Sequence, residues 1–179
     1  MSNELINMIV EQFPLALWET LYATLLATLF SIILGLPLGI LLVAGQKKGV
    51  MPLPTWLLRL IDVIINILRS IPFLIVVIVV FPLTRLIVGT TVGTLASIVP
   101  LVVAAFPFIA RLVEASLKEV DQNLIEMAKS MGATPFQIIT KVMLKEAVPS
   151  LISNITVALT TILGYTAMSG IVGGGGLGK

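Results

Sequence analysis

Long apolar runs set the pattern of this chain. Leu21 to Ala44 carries no charged side chain, and as a helix it would span roughly 36 Å against a hydrocarbon core of about 30 Å. Ile71 to Leu83 is apolar but too short alone, so a second span must draw on the preceding stretch Thr55 to Ser70. Leu86 to Ala110 is a third, entered through a turn at Gly89 and Gly93. A fourth begins in the charge-free run Ala147 to Gly178 and should end near Ser169, where "GIVGGGGLG" takes over, because each glycine costs a helix up to about 1 kcal/mol relative to alanine. The pattern predicts an all-α, polytopic transmembrane helical bundle in a single domain, 1–179, with spans at about 18–45, 60–83, 86–110 and 148–169 and a cytoplasmic loop over 111–147. No internal repeat is visible, and no soluble domain large enough to fold alone.

Lys and Arg beside the spans set the orientation. Residues 1–46 contain none; Lys47, Lys48, Arg59 and Arg69 lie in the first connection; Arg85 stands alone in the second; Arg111, Lys118, Lys129, Lys141 and Lys145 fill the third. This bias places the N-terminus outside the cytoplasm and both basic connections inside. Residues 1–20 lack a basic segment and contain Glu4, Glu11 and Glu19, so they do not read as a cleavable signal peptide.

Composition narrows the chemistry. Hydrophobic residues make up 58% of the chain, charged ones 11%, and the mean hydropathy is +1.12, where a soluble domain carries about 25% charged residues. Without Cys or His there is no disulfide framework, thiolate nucleophile, imidazole base or usual zinc or copper ligand. The expectation is no metal, no catalytic residue and no enzyme activity. A net charge of +2 is too small to point to nucleic acid.

Two polar stretches stand out. Arg59, Asp62, Asn66 and Arg69 fall on one face of a helix whose other positions include Leu58, Ile61, Ile64, Ile65 and Leu68. Two readings are open: an amphipathic lead-in helix at the cytoplasmic surface with Arg59 paired to Asp62, or a helix-contact or gating role. The second stretch is "EMAKSMGATPFQ", residues 126–137. Asn123 and Glu126 have capping-box spacing, Gly132 supplies a left-handed stop, and Thr134, Pro135 and Gln137 start a second helix with another capping box. That second helix presents Phe136, Ile138, Ile139, Val142 and Met143, which either the chain's own spans or another protein must cover.

Glu126, Ala128, Gly132 and Leu144 fall at the spacing of the Glu-Ala-Ala loop in membrane subunits of bacterial ABC importers, the loop that forms the coupling helix. "RSIPFLI" at 69–75, "PFIARLVE" at 107–114, "MGATPFQI" at 131–138 and "GYTAMSGIVGGGGLG" at 164–178 extend the likeness. From roughly residue 10 to its end the chain resembles the methionine-importer permeases of the binding-protein-dependent transport system inner-membrane component family. Departures are Met127 where the motif usually has Ala, Val142 where it has Ile, and Lys145 where it has Pro. Lys145 lets the second helix continue towards Pro149. The family carries a fifth span after the Gly-rich loop; this sequence stops at Lys179 before one, as a fragment or as a form without that span.

The resemblance implies a permease subunit in the bacterial cytoplasmic (inner) membrane that forms half of a two-fold pore for methionine or a closely related amino acid. A separate ABC ATPase would bind the ATP, and a second copy of the permease, an extracytoplasmic solute-binding protein and membrane lipid would be the other partners. ATPase docking is expected on Glu126, Ala128, Lys129, Gly132, Ala133, Thr134, Pro135 and Phe136. Tyr165, Thr166, Met168 and Ser169, a polar cluster at the far end of an apolar span, are expected near the translocation path, with helix packing through small and hydroxyl residues as the alternative. Rival readings are a permease for another small solute, a secondary transporter or channel, and a non-transporting membrane scaffold. Secondary transporters commonly need ionisable residues within their spans, and 86–110 and 147–178 hold no acidic or basic side chain. Gly173, Gly178 and Lys179 satisfy most of a P-loop. Here neither a strand, a following helix nor a Ser or Thr supports it, and a flexible external gate or docking loop is the expectation instead.

The orientation is testable because the chain is naturally free of cysteine. With Leu5→Cys, Lys47→Cys, Val88→Cys or Ser130→Cys introduced singly, an impermeant thiol reagent applied to intact cells should label only the first and third. Labelling of Ser130→Cys from outside would overturn the orientation.

Overall fold

The computed structural model describes the backbone of residues 2–179 and the side chains of residues 12–179. Glu4 and Glu11 therefore lie outside the described side chains. Among the described residues the chain is helical with no strand: α1 (Ser2–Ala44), α2 (Thr55–Ser70), α3 (Phe73–Val88), α4 (Thr94–Lys118), α5 (Gln122–Ser130), α6 (Pro135–Gln137) and α7 (Leu144–Ile171). A wide π-helical segment, Ile138–Met143, joins α6 to α7, so that Pro135–Ile171 is one helical stretch of 37 residues. The chain groups into two compact units, one of Met1–Ser31, Ile71–Ala105 and Leu159–Lys179, the other of Ile32–Ser70 and Phe106–Ala158.

Among the described residues, three stretches are long and apolar enough to cross a membrane, Gln12–Ala44, Thr94–Lys118 and Pro135–Ile171; α2 and α3 qualify only as a pair. The pair is broken because Pro72 fixes its own φ and disfavours the helical region for Ile71. Where the sequence pattern suggests one span over 60–83, there are thus two helices. α3 then stops at Gly89, whose φ of +83° lets its N–H reach the Arg85 carbonyl at 2.9 Å. Likewise, the helix expected to close near Ala110 continues to Lys118, and Pro149 sits inside α7 rather than ending it.

In the unit containing Ile32–Ser70, Leu42, Ile65 and Ala110 form a buried apolar cluster with Leu38 and Ile61 against it. α1 approaches α4 closely through Gly35 and Gly39. A Cβ at Gly39 would lie 2.6 Å from Val113 Cβ and 2.7 Å from the Ala110 carbonyl oxygen, too near for any larger residue. In the other unit, α1 buries Ala23 and Ala27 beside Thr20, Thr24 and Thr28. Each of these hydroxyls donates to the carbonyl four residues earlier, at 2.9, 2.7 and 2.7 Å, so the buried face keeps no unsatisfied polar group there. Leu21, Leu25 and Leu29 form an exposed stripe along this part of α1, the surface left for lipid or another chain.

Candidate functional site

The turn between α5 and α6 is built by local chemistry. Thr134 caps α6: its Oγ1 accepts from the Gln137 N–H at 3.4 Å, and Gln137 Oε1 accepts from the Thr134 N–H at 2.9 Å, a complete capping box with Pro135 at the first turn. Gly132 takes a φ of +78° and the Ala133 N–H donates to the Ala128 carbonyl at 3.1 Å, closing α5 as expected. The start of α5 differs. Asp121, not Asn123, is its cap, because Asp121 Oδ1 reaches the Asn123 N–H at 2.9 Å; a carboxylate also suits the positive end of the helix dipole.

The expected docking residues divide by burial. Glu126, Lys129, Gly132, Thr134, Pro135 and Phe136 are exposed and Ala133 is half-buried, whereas Ala128 is buried and packs inward with Ile125. Of the apolar side chains on the second helix, Ile138, Ile139 and Met143 are buried within their own unit, so the chain itself covers most of that surface. Phe136 is left 74% exposed, and Met127 and Met131 on α5 are 56% and 78% exposed. Three large apolar side chains thus stand around one turn; Met127 stood out in the sequence only as a departure from the motif, and Met131 not at all, although both lie inside the stretch 126–137. Lys129 Nζ donates to the Gly49 carbonyl at 3.4 Å, which sets the loop after α1 beside α5.

Asp62, Asn66 and Arg69 of the polar stripe on α2 contact α4, while Arg59 is exposed, and Asp62 pairs with Arg111 of α4 rather than with Arg59. Arg111 Nη2 donates to Asp62 Oδ1 at 2.6 Å and to Asn66 Oδ1 at 2.8 Å, while Nη1 donates to Glu114 Oε2 at 2.6 Å. Lys118 Nζ holds the other Glu114 oxygen at 2.7 Å. Arg69 lies over the Phe108 ring, 5.9 Å from its centre. The reason is geometric: the shared face of α2 turns to α4, and a nearly buried cation needs acceptors more than an exposed one does.

At the end of α7, Tyr165 stacks on Phe73 with ring centres 4.8 Å apart and planes 4° from parallel. Thr166 and Ser169 are buried, and their hydroxyls donate back to Leu163 at 2.7 Å and to Thr166 at 2.8 Å. Met168 is 46% exposed. The four are neighbours on one helix but are not presented alike: Met168 faces outward, Tyr165 is half-buried, and the two hydroxyl residues are occupied by their own helix.

The Gly-rich loop is strapped down. The Gly93 N–H donates to the Gly173 carbonyl at 2.8 Å, Gly174 N–H to Ser169 at 2.9 Å, Gly176 N–H to Glu19 Oε2 at 2.7 Å and Leu177 N–H to Thr20 Oγ1 at 2.9 Å. A Cβ at Gly175 would collide with Thr94 Oγ1 and lie 2.5 Å from Glu19 Oε2. The run of glycines here serves close approach of backbone to α1 and α4.

Comparison with known proteins agrees with this geometry. Residues 31–179 match the model of a family described as the binding-protein-dependent transport system inner membrane component. A Vibrio cholerae protein named as a probable D-methionine transport system permease, MetI, is 49% identical over 96% of this chain and 79% of its own length. The Escherichia coli K12 D-methionine permease MetI is 48% identical over 95% of this chain and 76% of its own. Among solved structures, an inward-facing form of the MetNI methionine ABC transporter superposes with a TM-score of 0.91 at 46% identity, covering 99% of this chain and 80% of that one. A second crystal form of that transporter gives 0.87 at 48% identity, over 90% and 74%.

The strapped loop yields a paired test. Gly175→Ala should lower the apparent Tm of the purified chain by several degrees, since overpacking costs about 1–3 kcal/mol. Gly164→Ala, at a helical site with open space around it, should leave the Tm unchanged or raise it. Equal Tm values would show that the loop is not held as described.

Proposed function

Because this chain belongs to the family of binding-protein-dependent transport system inner membrane components, we propose that it forms half of the pore of an ATP-driven importer of methionine or a closely related amino acid. The chain is a multi-pass permease subunit of a bacterial inner membrane transport system, and it supplies a path rather than a reaction. ATP is bound and hydrolysed on a partner ABC ATPase, a second copy of the permease completes the pore by two-fold symmetry, and an extracytoplasmic solute-binding protein delivers the solute. The N-terminus lies outside, as the distribution of Lys and Arg supports.

The observation that carries the reading is the exposed apolar cluster Met127, Met131 and Phe136 on a capped turn, in a chain that closely resembles methionine permeases. Phe136 is the anchor an ATPase groove would take; Glu126, Lys129 and Thr134 form a polar rim; Gly132, Ala133 and Pro135 allow close approach; Ala128 supports the turn from beneath. When the ATPase pair closes on ATP, the two docked turns move with it as rigid bodies, and the attached helices move too. We assign Tyr165 and Met168 to the solute path, where a thioether and an aromatic ring would suit an apolar side chain, with Thr166 and Ser169 shaping the helix behind them.

Phe136→Ala should weaken co-purification of the ATPase by tenfold or more, since truncating a buried interface aromatic typically costs about 2 kcal/mol. Gly132→Val should do likewise, because a β-branched residue resists positive φ. Membrane abundance should be normal in both and uptake lost. Full uptake with full ATPase association in both variants would refute the docking role.

The path assignment is read separately. In cells carrying the intact assembly, Tyr165→Ala and Met168→Ala should change the uptake rate or the preference among solutes while ATPase association stays normal. Unchanged uptake and preference in both would remove these residues from the path.

A further inference from the structure

Neither the docking surface nor the solute path uses Arg111. It stands two turns before the end of α4, with its side chain only 17% exposed. One nitrogen of its fork faces α4's own Glu114, which is buried; the other faces Asp62 and Asn66, one turn apart on α2, and also lies 3.3 Å from the Asp62 carbonyl oxygen. Asn66 Nδ2 donates to the second Asp62 oxygen at 3.3 Å, so the two acceptors on α2 are themselves oriented. Arg111 Nε is buried and makes no hydrogen bond among the described residues.

The knot sits close to the docking turn. Only Glu119, Val120 and Asp121 separate α4 from α5. Leu117, Val120, Ile125 and Ala128 are all buried in the same unit, and the Asp121 cap fixes the direction in which α5 leaves. α4 and α5 therefore form a stiff elbow. Apolar contacts among Leu42, Ile65 and Ala110 also hold α2 within this unit, but such contacts are non-directional and permit sliding or rotation. A planar guanidinium with acceptors on both sides fixes angle and register.

We propose that Arg111 is a positioning residue of transport, which makes α2 move with the displacement that ATP binding imposes on the α5–α6 turn. This rests on the docking of that turn to an ATPase. In the knot, Arg111 is clamped to α4 by Glu114, and Glu114 is clamped by Lys118 in turn, so a displacement of the elbow carries the guanidinium with it. Asp62 and Asn66 receive the displacement on α2. Where the interaction is lost, the apolar contacts keep the helices packed while ATP is hydrolysed without the matching movement of α2.

The test uses the complete transporter in proteoliposomes, with Arg111→Gln, Arg111→Lys and Asp62→Asn, and reads solute moved per ATP hydrolysed beside ATPase co-purification. Arg111→Gln should keep its ATPase and its hydrolysis while uptake per ATP falls about tenfold, within the range expected for residues along a coupling network. Asp62→Asn should show the same change to a smaller degree, and Arg111→Lys should recover part of the ratio by keeping the charge. An altered protein level with an unchanged ratio would mark a merely structural role and overturn the proposal. Should Arg111→Gln fail to accumulate, the ratio in Asp62→Asn decides, because that side chain is 46% exposed and its loss is tolerable to the fold. If Phe136→Ala and Gly132→Val both keep their ATPase and their uptake, the docking reading falls and this inference with it; if either loses its ATPase while the ratio in Asp62→Asn is unchanged, only the role of Arg111 is refuted.

Discussion

Hydrocarbon offers no hydrogen bonds, and that constraint governs the polar atoms of the long apolar helices. A spanning backbone must satisfy itself, which only continuous helix achieves without a closed barrel. The same demand reaches the side chains. Thr84, buried on α3, donates to the Val80 carbonyl at 3.1 Å, and Ser116 on α4 donates to Leu112 at 3.1 Å, as the threonines of α1 do to theirs. Ser116 goes further by accepting from Asn154 Nδ2 at 2.8 Å and Ser150 Oγ at 3.1 Å, which ties α7 to α4 through a polar contact. Small residues serve the same end from the opposite side, since Gly35 and Gly39 let helices meet closely enough for dispersion forces to substitute for the missing hydrophobic drive.

Charges obey the constraint more strictly. Arg111 and Glu114 are both largely removed from solvent, and desolvating such groups is costly unless each is paired and hydrogen-bonded. The chain meets the demand by sharing: Glu114 accepts from two cations, and Arg111 donates to three side chains on two helices. Asp62, nearer to solvent, is the exchangeable member of the set. Elsewhere the described cations, such as Lys47, Lys48 and Lys145, are exposed, where a charge needs no partner.

Local features were legible in the sequence and distant pairings were not. Thr134 and Gln137 announced a capping box because the box lies within four residues, and Gly132 announced a stop because few other residues accept positive φ. Membrane-spanning helices were legible from hydropathy, though their ends were not: the helix through Ala110 runs on to Lys118 because Arg111, Glu114 and Lys118 continue the helical repeat and satisfy one another. Asp121 was passed over as a cap because Asn123 offered the same chemistry with a glutamate at the right spacing. The Arg111–Asp62 pair bridges positions far apart in sequence, and Arg59, nearer along the chain, is an equally plausible partner for that carboxylate by spacing alone. The strap from Gly176 and Leu177 to Glu19 and Thr20 was hidden for the same reason, since a run of glycines reads equally as freedom or as close packing.

The turn between α5 and α6 is held from several sides. Around Gly132 the backbone is fixed by a capping box on one side and by the Ala133 to Ala128 bond on the other, while Ile125, Ala128, Ile138, Ile139 and Met143 anchor the turn to its own unit. From Phe136 the helix continues without a break to Met168. Along that length two irregularities interrupt the ordinary hydrogen-bond ladder, the wide segment Ile138–Met143 and Pro149, which has no N–H to offer. Helices bend where their ladder is weakened. Both irregularities lie in the first half of the stretch Pro135–Ile171, and beyond Pro149 the regular α-helical ladder resumes and runs to Ile171.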